Sequence, residues 1–160
     1  MVRFLLIAAL CLMGFPAKSG DVANELVGTW KMTSWVIQII GGDTREPFGP
    51  NPKGRLIITP NGTLTAIGTG ANRKPATNDD ERLALFNSLL AYSGRYTIDG
   101  DKIITSIDIS SNEVFSGANQ NQMRFFRLEG QKLTLRTPEQ DSGAIPGKKI
   151  VATITWEREP

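Results

Sequence analysis

The segment "KIITSIDIS", residues 102–110, sets Ile103, Thr105, Ile107 and Ile109 on one parity and Lys102, Ser106 and Asp108 on the other. A period of two is the geometry of a strand with one face in a core and one in water. Eight segments of the chain read this way: Val27 to Ile40, "RLIITP", "TLTAIGT", "GRYTI", "KIITSIDIS", "QMRFFRL", "KLTLRT" and "KIVATITWERE". In the last, Ile150, Ala152, Ile154 and Trp156 point one way, and Thr153, Thr155 and Glu157 the other. Eight strands in sequence order, joined mostly by hairpins, predict an all-β, up-and-down antiparallel eight-stranded barrel, because closure removes the sheet edges.

Turn chemistry fits that plan. Asn61-Gly62 between the second and third segments predicts a tight primed turn, since both positions tolerate positive φ. The same residues begin an Asn-Gly-Thr sequon, for which the turn reading is preferred. One helix interrupts the pattern, between the third and fourth strands. In "TNDDERLALFNSLLAYS" Asn78 is the expected N-cap and Glu81 stands at capping-box spacing. Leu83, Phe86 and Leu90 form an apolar stripe that is expected to lie on the barrel.

Closure makes the first and last strands neighbours. Arg158 then comes near Trp30 with the inward parity of Trp156, and Gly28 lets the backbone pass close to the rings. Gly28, Trp30 and Arg158 are the expected closure residues.

Residues 1–19 read as a secretory leader: basic at Arg3, apolar from Phe4 to Phe15, small at Ala17 and Ser19. The apolar run is too short to span a bilayer. A lipoprotein reading of Cys11 fails at Leu10, where a small residue is required. The barrel domain is then 20–160, and the expected location is secreted or periplasmic. Losing Arg3 and Lys18 takes 18 Lys and Arg to 16, against 16 acids. A neutral chain argues against nucleic acid or an anionic membrane as partner. The one cysteine leaves as well, so no disulfide is expected.

The ordered set "LVGTWKMTSW", "PFGPNPKGRLIITPNGTLTA", "AYSGRYTIDGDKI" and "FSGANQNQMRFFRLEGQKLTLRT" resembles the bacterial and fungal lipocalin-like domain family, and Gly-Thr-Trp with a late arginine resembles the calycin pattern. The resemblance implies an eight-stranded barrel with an internal pocket, and little about activity. Members of that family often carry a tyrosine near the second strand, where this chain has Ile58. They often carry a histidine in the fifth, where it has Ile104-Thr105. This chain has no histidine.

That absence removes Ser-His and Cys-His catalysis and the usual ligands of zinc, copper and haem, so no catalytic residue, metal or cofactor is expected. Asp99 and Asp101 read as a polar turn rather than a calcium loop. Two facings fit the sixth segment. Either Arg124, Phe126 and Leu128 point inward, with a buried cation that needs a partner, or Met123 and Phe125 do and Arg124 is in water. Inward, Arg124 is suited to a ligand carboxylate. Tyr92 and Tyr96 take either a backbone carbonyl or a ligand oxygen as partner. Phe48, between prolines, folds over the barrel mouth, either as a lid on a ligand or as part of the core. The candidate ligand contacts are therefore Phe48, Ile58, Tyr92, Tyr96, Ile107, Arg124 and Phe126. The expected function is binding of a small hydrophobic molecule, with its acidic head group met by an internal arginine. Two alternatives are a cofactorless isomerase or cyclase using Tyr92, Tyr96 and Arg124, and an inhibitor or envelope module presenting loops 41–54 and 138–147.

Overall fold

The structure is a computed structural model that describes residues 19–160 apart from Ser116, Ala118, Asn119 and Ala144. The expected leader, but for its last residue Ser19, lies outside the described residues. Helix α1 (Ser19–Leu26) leads into β1 (Gly28–Ile39). A two-residue strand β2 (Thr44–Arg45), β3 (Lys53–Ile58) and β4 (Thr63–Thr69) follow. Helix α2 (Asp79–Asn87) precedes β5 (Leu89–Asp99) and β6 (Lys102–Ser110). A short helical turn (Glu113–Phe115) then leads to β7 (Asn121–Glu129), β8 (Lys132–Arg136), the two-residue β9 (Gln140–Asp141) and β10 (Lys149–Arg158). Strands β1, β3 to β8 and β10 pair antiparallel in chain order, and β1 with β10 closes an eight-stranded up-and-down barrel.

The closing seam runs from Trp30 opposite Arg158 to Ile39 opposite Ile150. The Arg158 guanidinium lies 4.0 Å from the Trp30 ring centroid. Its Nη1 donates to the Val27 carbonyl at 2.7 Å, and its Nη2 donates to that of Glu25. The Trp30 indole N–H donates to Leu26 O at 3.0 Å. One cation thus satisfies carbonyls that α1 leaves free at its end. Gly28 sits at φ +147°, and a Cβ there would collide with Arg158 Nη1. Side chains fill this end: Trp30, Trp156, Leu26, Met32, Leu56, Ile58, Leu64, Ile103 and Leu133 are fully buried.

Two irregularities reset the parity. The register of the seam shifts between Met32 and Ser34, so Thr33 is the extra residue. Trp30 and Met32 point inward before it; Trp35 and Ile37 do so after it. Between β5 and β6 the shift falls at Asp108, because Gly94 faces Ile107 while Ser93 faces Ile109. Ile109 is therefore 69% exposed and not on the face of Ile103 and Ile107, contrary to the alternation. Gly94 permits this close approach, since a Cβ there would collide with the Ser106 carbonyl oxygen.

Two further expectations are corrected. The hairpin at Asn61-Gly62 is not a primed turn: only Gly62 has positive φ, +84°. Gly62 N donates to Thr59 O, and Thr59 N to Thr63 O. Pro60 thus occupies the second position of an ordinary turn, which its fixed φ favours, and Gly62 makes the following bulge. Helix α2 forms with Asn78 as N-cap, its side chain accepting from Glu81 N. The Glu81 carboxylate accepts from the Thr77 backbone N–H and hydroxyl. Its stripe, however, does not lie on the barrel. Leu83 and Phe86 are 58% and 53% exposed, and Leu90 belongs to β5. The helix is too short to bring all three onto one surface, and its caps hold it in place of packing.

Replacing Arg158 by Ala removes the stacking and both carbonyl bonds, and is expected to cost about 3 kcal/mol in urea denaturation. Arg158→Lys should recover less than half of that. Equal stability of all three proteins would show that the seam does not depend on the guanidinium.

Candidate functional site

Beyond Met32 the packing of the barrel is incomplete. The barrel holds there a cavity of about 140 Å³. Trp35 and Ile37 from β1, with Ile150, Ala152 and Ile154 from β10, make one wall. Leu90, Tyr92, Phe115, Leu135, Thr137, Gln140 and Arg124 complete it. The lining is mainly apolar with a few polar groups, the usual make-up of a small-molecule site.

Cross-strand pairing decides the facing of Arg124. It stands opposite Ile103, which is fully buried, while Met123 stands opposite Ile104. Phe126 and Leu128 stand opposite the buried Leu135 and Leu133. Directly opposed residues share a face, so Arg124 points inward. Burial draws its pKa below the ordinary arginine value, and the neighbouring Tyr92 opposes that shift. Burial in turn pushes the Tyr92 phenol up, with Arg124 acting the other way. Burial thus favours the uncharged form of each group, and the raised Tyr92 keeps its phenol neutral.

The hydrogen bonds of Arg124 are one-sided. Nη1 donates to Met123 O at 2.9 Å and to Gln122 Oε1 at 3.1 Å, and Nη2 donates to the same Gln122 oxygen at 3.2 Å. A guanidinium has five N–H donors. The edge formed by Nε and the second N–H of Nη2 therefore has no acceptor among the described residues. Arg55, on the outer surface, shows what that edge is suited to. Its Nε and Nη2 grip the Glu159 carboxylate at 2.9 and 3.0 Å. Among the described residues no carboxylate forms an ion pair with Arg124.

Phe48 is buried and meets Trp35 edge-on, with ring centroids 4.4 Å apart. It packs behind a cavity wall and does not line the cavity. Gly68 makes room for it, since a Cβ there would stand 3.1 Å from the Phe48 ring and 2.8 Å from Met32 Cε. Of the other sequence candidates, the structure brings Tyr92 and Arg124 together. Ile58 lies in the filled end. Tyr96 is at that end too, its hydroxyl donating to Thr59 O at 3.1 Å. Ile107 borders a separate surface groove with Asp108, Glu113 and Gln120. Phe126 packs on the core without lining the cavity. The three groups of the isomerase reading are therefore not assembled. Sequence reasoning missed Trp35, whose inward facing depends on the Thr33 bulge. It also missed Phe115, Thr137 and Gln140, which lie outside the long strands.

Among the described residues no cluster of His, Cys, Asp or Glu is placed to hold a metal, and no helix is long and apolar enough to cross a membrane. The profile of the lipocalin-like domain family matches residues 27–159, and the chain belongs to that family. No curated protein sequence matches it. Among solved structures, it is similar to a lipocalin-like protein from Bacteroides uniformis, at 13% identity over 84% of this chain and 99% of that one, with a TM-score of 0.44. It is also similar to a protein from Bacteroides eggerthii at 12% identity, over 83% and 98% of the two chains, with a TM-score of 0.42. A third, EF1p2_mFAP2b bound to DFHBI, is 14% identical over 89% and 100%, with a TM-score of 0.44.

Gly68→Ala is expected to push Phe48 off Trp35, lowering stability by about 1–3 kcal/mol. Tryptophan emission should shift to longer wavelength. An unchanged spectrum would mean that the Phe48 contact is not held by the space at Gly68.

Proposed function

We propose that the protein binds a small hydrophobic acid inside the barrel, with the carboxylate on the free edge of Arg124 and the apolar part against Trp35, Leu90, Leu135 and Ile154. The single observation that carries this reading is an inward-facing, partly buried arginine whose side-on fork has no acceptor among the described residues. Even partial burial of a cation without a counter-ion is unfavourable, and a partner arriving from outside would relieve it. A carboxylate on that fork makes two parallel charge-assisted bonds. Tyr92, neutral beside it, has a hydroxyl to offer as a third donor.

Stability and binding should respond in opposite directions. Arg124→Met should raise the stability of the empty protein by about 1–2 kcal/mol, because a charge is replaced by an apolar chain of similar length. It should also abolish binding of benzoate in calorimetric titration. Benzamide, which lacks the charge, should bind the natural protein about 100-fold more weakly than benzoate. A destabilised Arg124→Met variant that binds benzoate normally would make Arg124 a structural residue and end the proposal.

We also propose that the mature chain begins near Gly20 and works outside the cytoplasm. The sequence of residues 1–19 supports this. The intact mass of the protein recovered from its native host tests it, with loss of about nineteen residues expected and a full-length mass contradicting it.

A further inference from the structure

We infer that Gln122 gives the site its preference for an anion, because it fixes the Arg124 guanidinium by one end and leaves its charge uncompensated. This rests on the carboxylate reading above and goes beyond it, since it assigns the selectivity to a residue outside the cavity lining. Gln122 and Arg124 lie two apart on β7 and so share a face, and Gln122 stands opposite the buried Thr105. The two side chains therefore meet inside the barrel. Gln122 Oε1 accepts one N–H from each terminal nitrogen of Arg124, and the Met123 carbonyl accepts the other N–H of Nη1. The grip takes the end of the guanidinium and its Nη1 side, and the side-on edge of Nε and Nη2 is what remains.

That edge is reachable. Among the described residues, the fully buried side-chain nitrogens and oxygens without a hydrogen bond are the indole nitrogens of Trp35 and Trp156. Arg124 Nε also lacks a hydrogen bond but is not one of them, so it meets accessible space, and Arg124 lines the cavity. A long side chain held in place beforehand has less freedom to lose when a ligand arrives. The chemistry of the anchor matters as much as its position. An amide oxygen accepts hydrogen bonds without bringing a net charge. Glutamate has the same length and would bring a carboxylate. Arg55 shows the consequence: its partner is Glu159, whose carboxylate takes the Nε–Nη2 edge itself. With an amide at 122 the cation is oriented, and its charge is left for a partner from outside.

The test is calorimetric titration with benzoate and with benzamide of the natural protein, Gln122→Glu and Gln122→Met. Gln122→Glu should weaken benzoate about 30-fold and leave benzamide nearly unchanged, which cuts a preference of about 100-fold to about threefold. Gln122→Met keeps the length and removes the acceptor. It should weaken both ligands by about fivefold and keep the preference. A residue that only supports the fold would move both variants alike. A full preference in Gln122→Glu, or one lost equally in both variants, would overturn the role of Gln122; the carboxylate reading would stand if Arg124→Met still abolished benzoate binding. Should Gln122→Glu fail to fold, Gln122→Met decides, and benzoate bound as tightly as by the natural protein would overturn the anchor. No saturable binding of benzoate to the natural protein would overturn both this inference and the reading beneath it.

Discussion

The seam between β1 and β10 is the constraint on which the rest depends. Without it the sheet has two long edges and no inside; with it, eight strands enclose a core and a cavity. Arg158 is the clamp. It covers Trp30 and takes the carbonyls of Glu25 and Val27 at the place where α1 runs into the first strand. The tryptophan it covers begins the packed end of the barrel, and that packing sets the floor of the cavity.

Three arginines illustrate how one side chain serves three purposes. Arg158 is satisfied by carbonyls and an aromatic face, and is structural. Arg55 is satisfied by a carboxylate of the chain itself, on the exposed surface, where such a pair adds little stability. Arg124 is held by Gln122 and Met123 in an orientation that leaves its best recognition edge open in the interior. The first two are finished contacts. The third is half of one, and the apolar lining of Trp35, Leu90 and Leu135 describes the other half.

The fold is largely legible in the sequence because alternation and turn residues are local signals. Strand order, the helix between the third and fourth barrel strands and the nearness of Trp30 to Arg158 all derive from them. The misreadings share a cause. Inserted residues at Thr33 and Asp108 flip the parity of the residues after them, and nothing in a period-two pattern marks them. Alternation alone therefore puts Ile109 inside and gives no sign that Trp35 is a cavity wall. In "QMRFF" both faces are half-buried, so only the pairing of Arg124 with Ile103 decides the facing. Leu83 and Phe86 are expected to pack because apolar stripes usually do; a nine-residue helix secured by its caps has no need to. The cavity itself depends on which end the large side chains fill, and that is a property of tertiary packing.

The most direct measurement is a crystal structure of the protein soaked in benzoate. The expected result is both carboxylate oxygens within about 3 Å of Arg124 Nε and Nη2, with the ring against Trp35. An interior without the ring, or a carboxylate bound elsewhere while the arginine edge turns to a group of the protein itself, would contradict it.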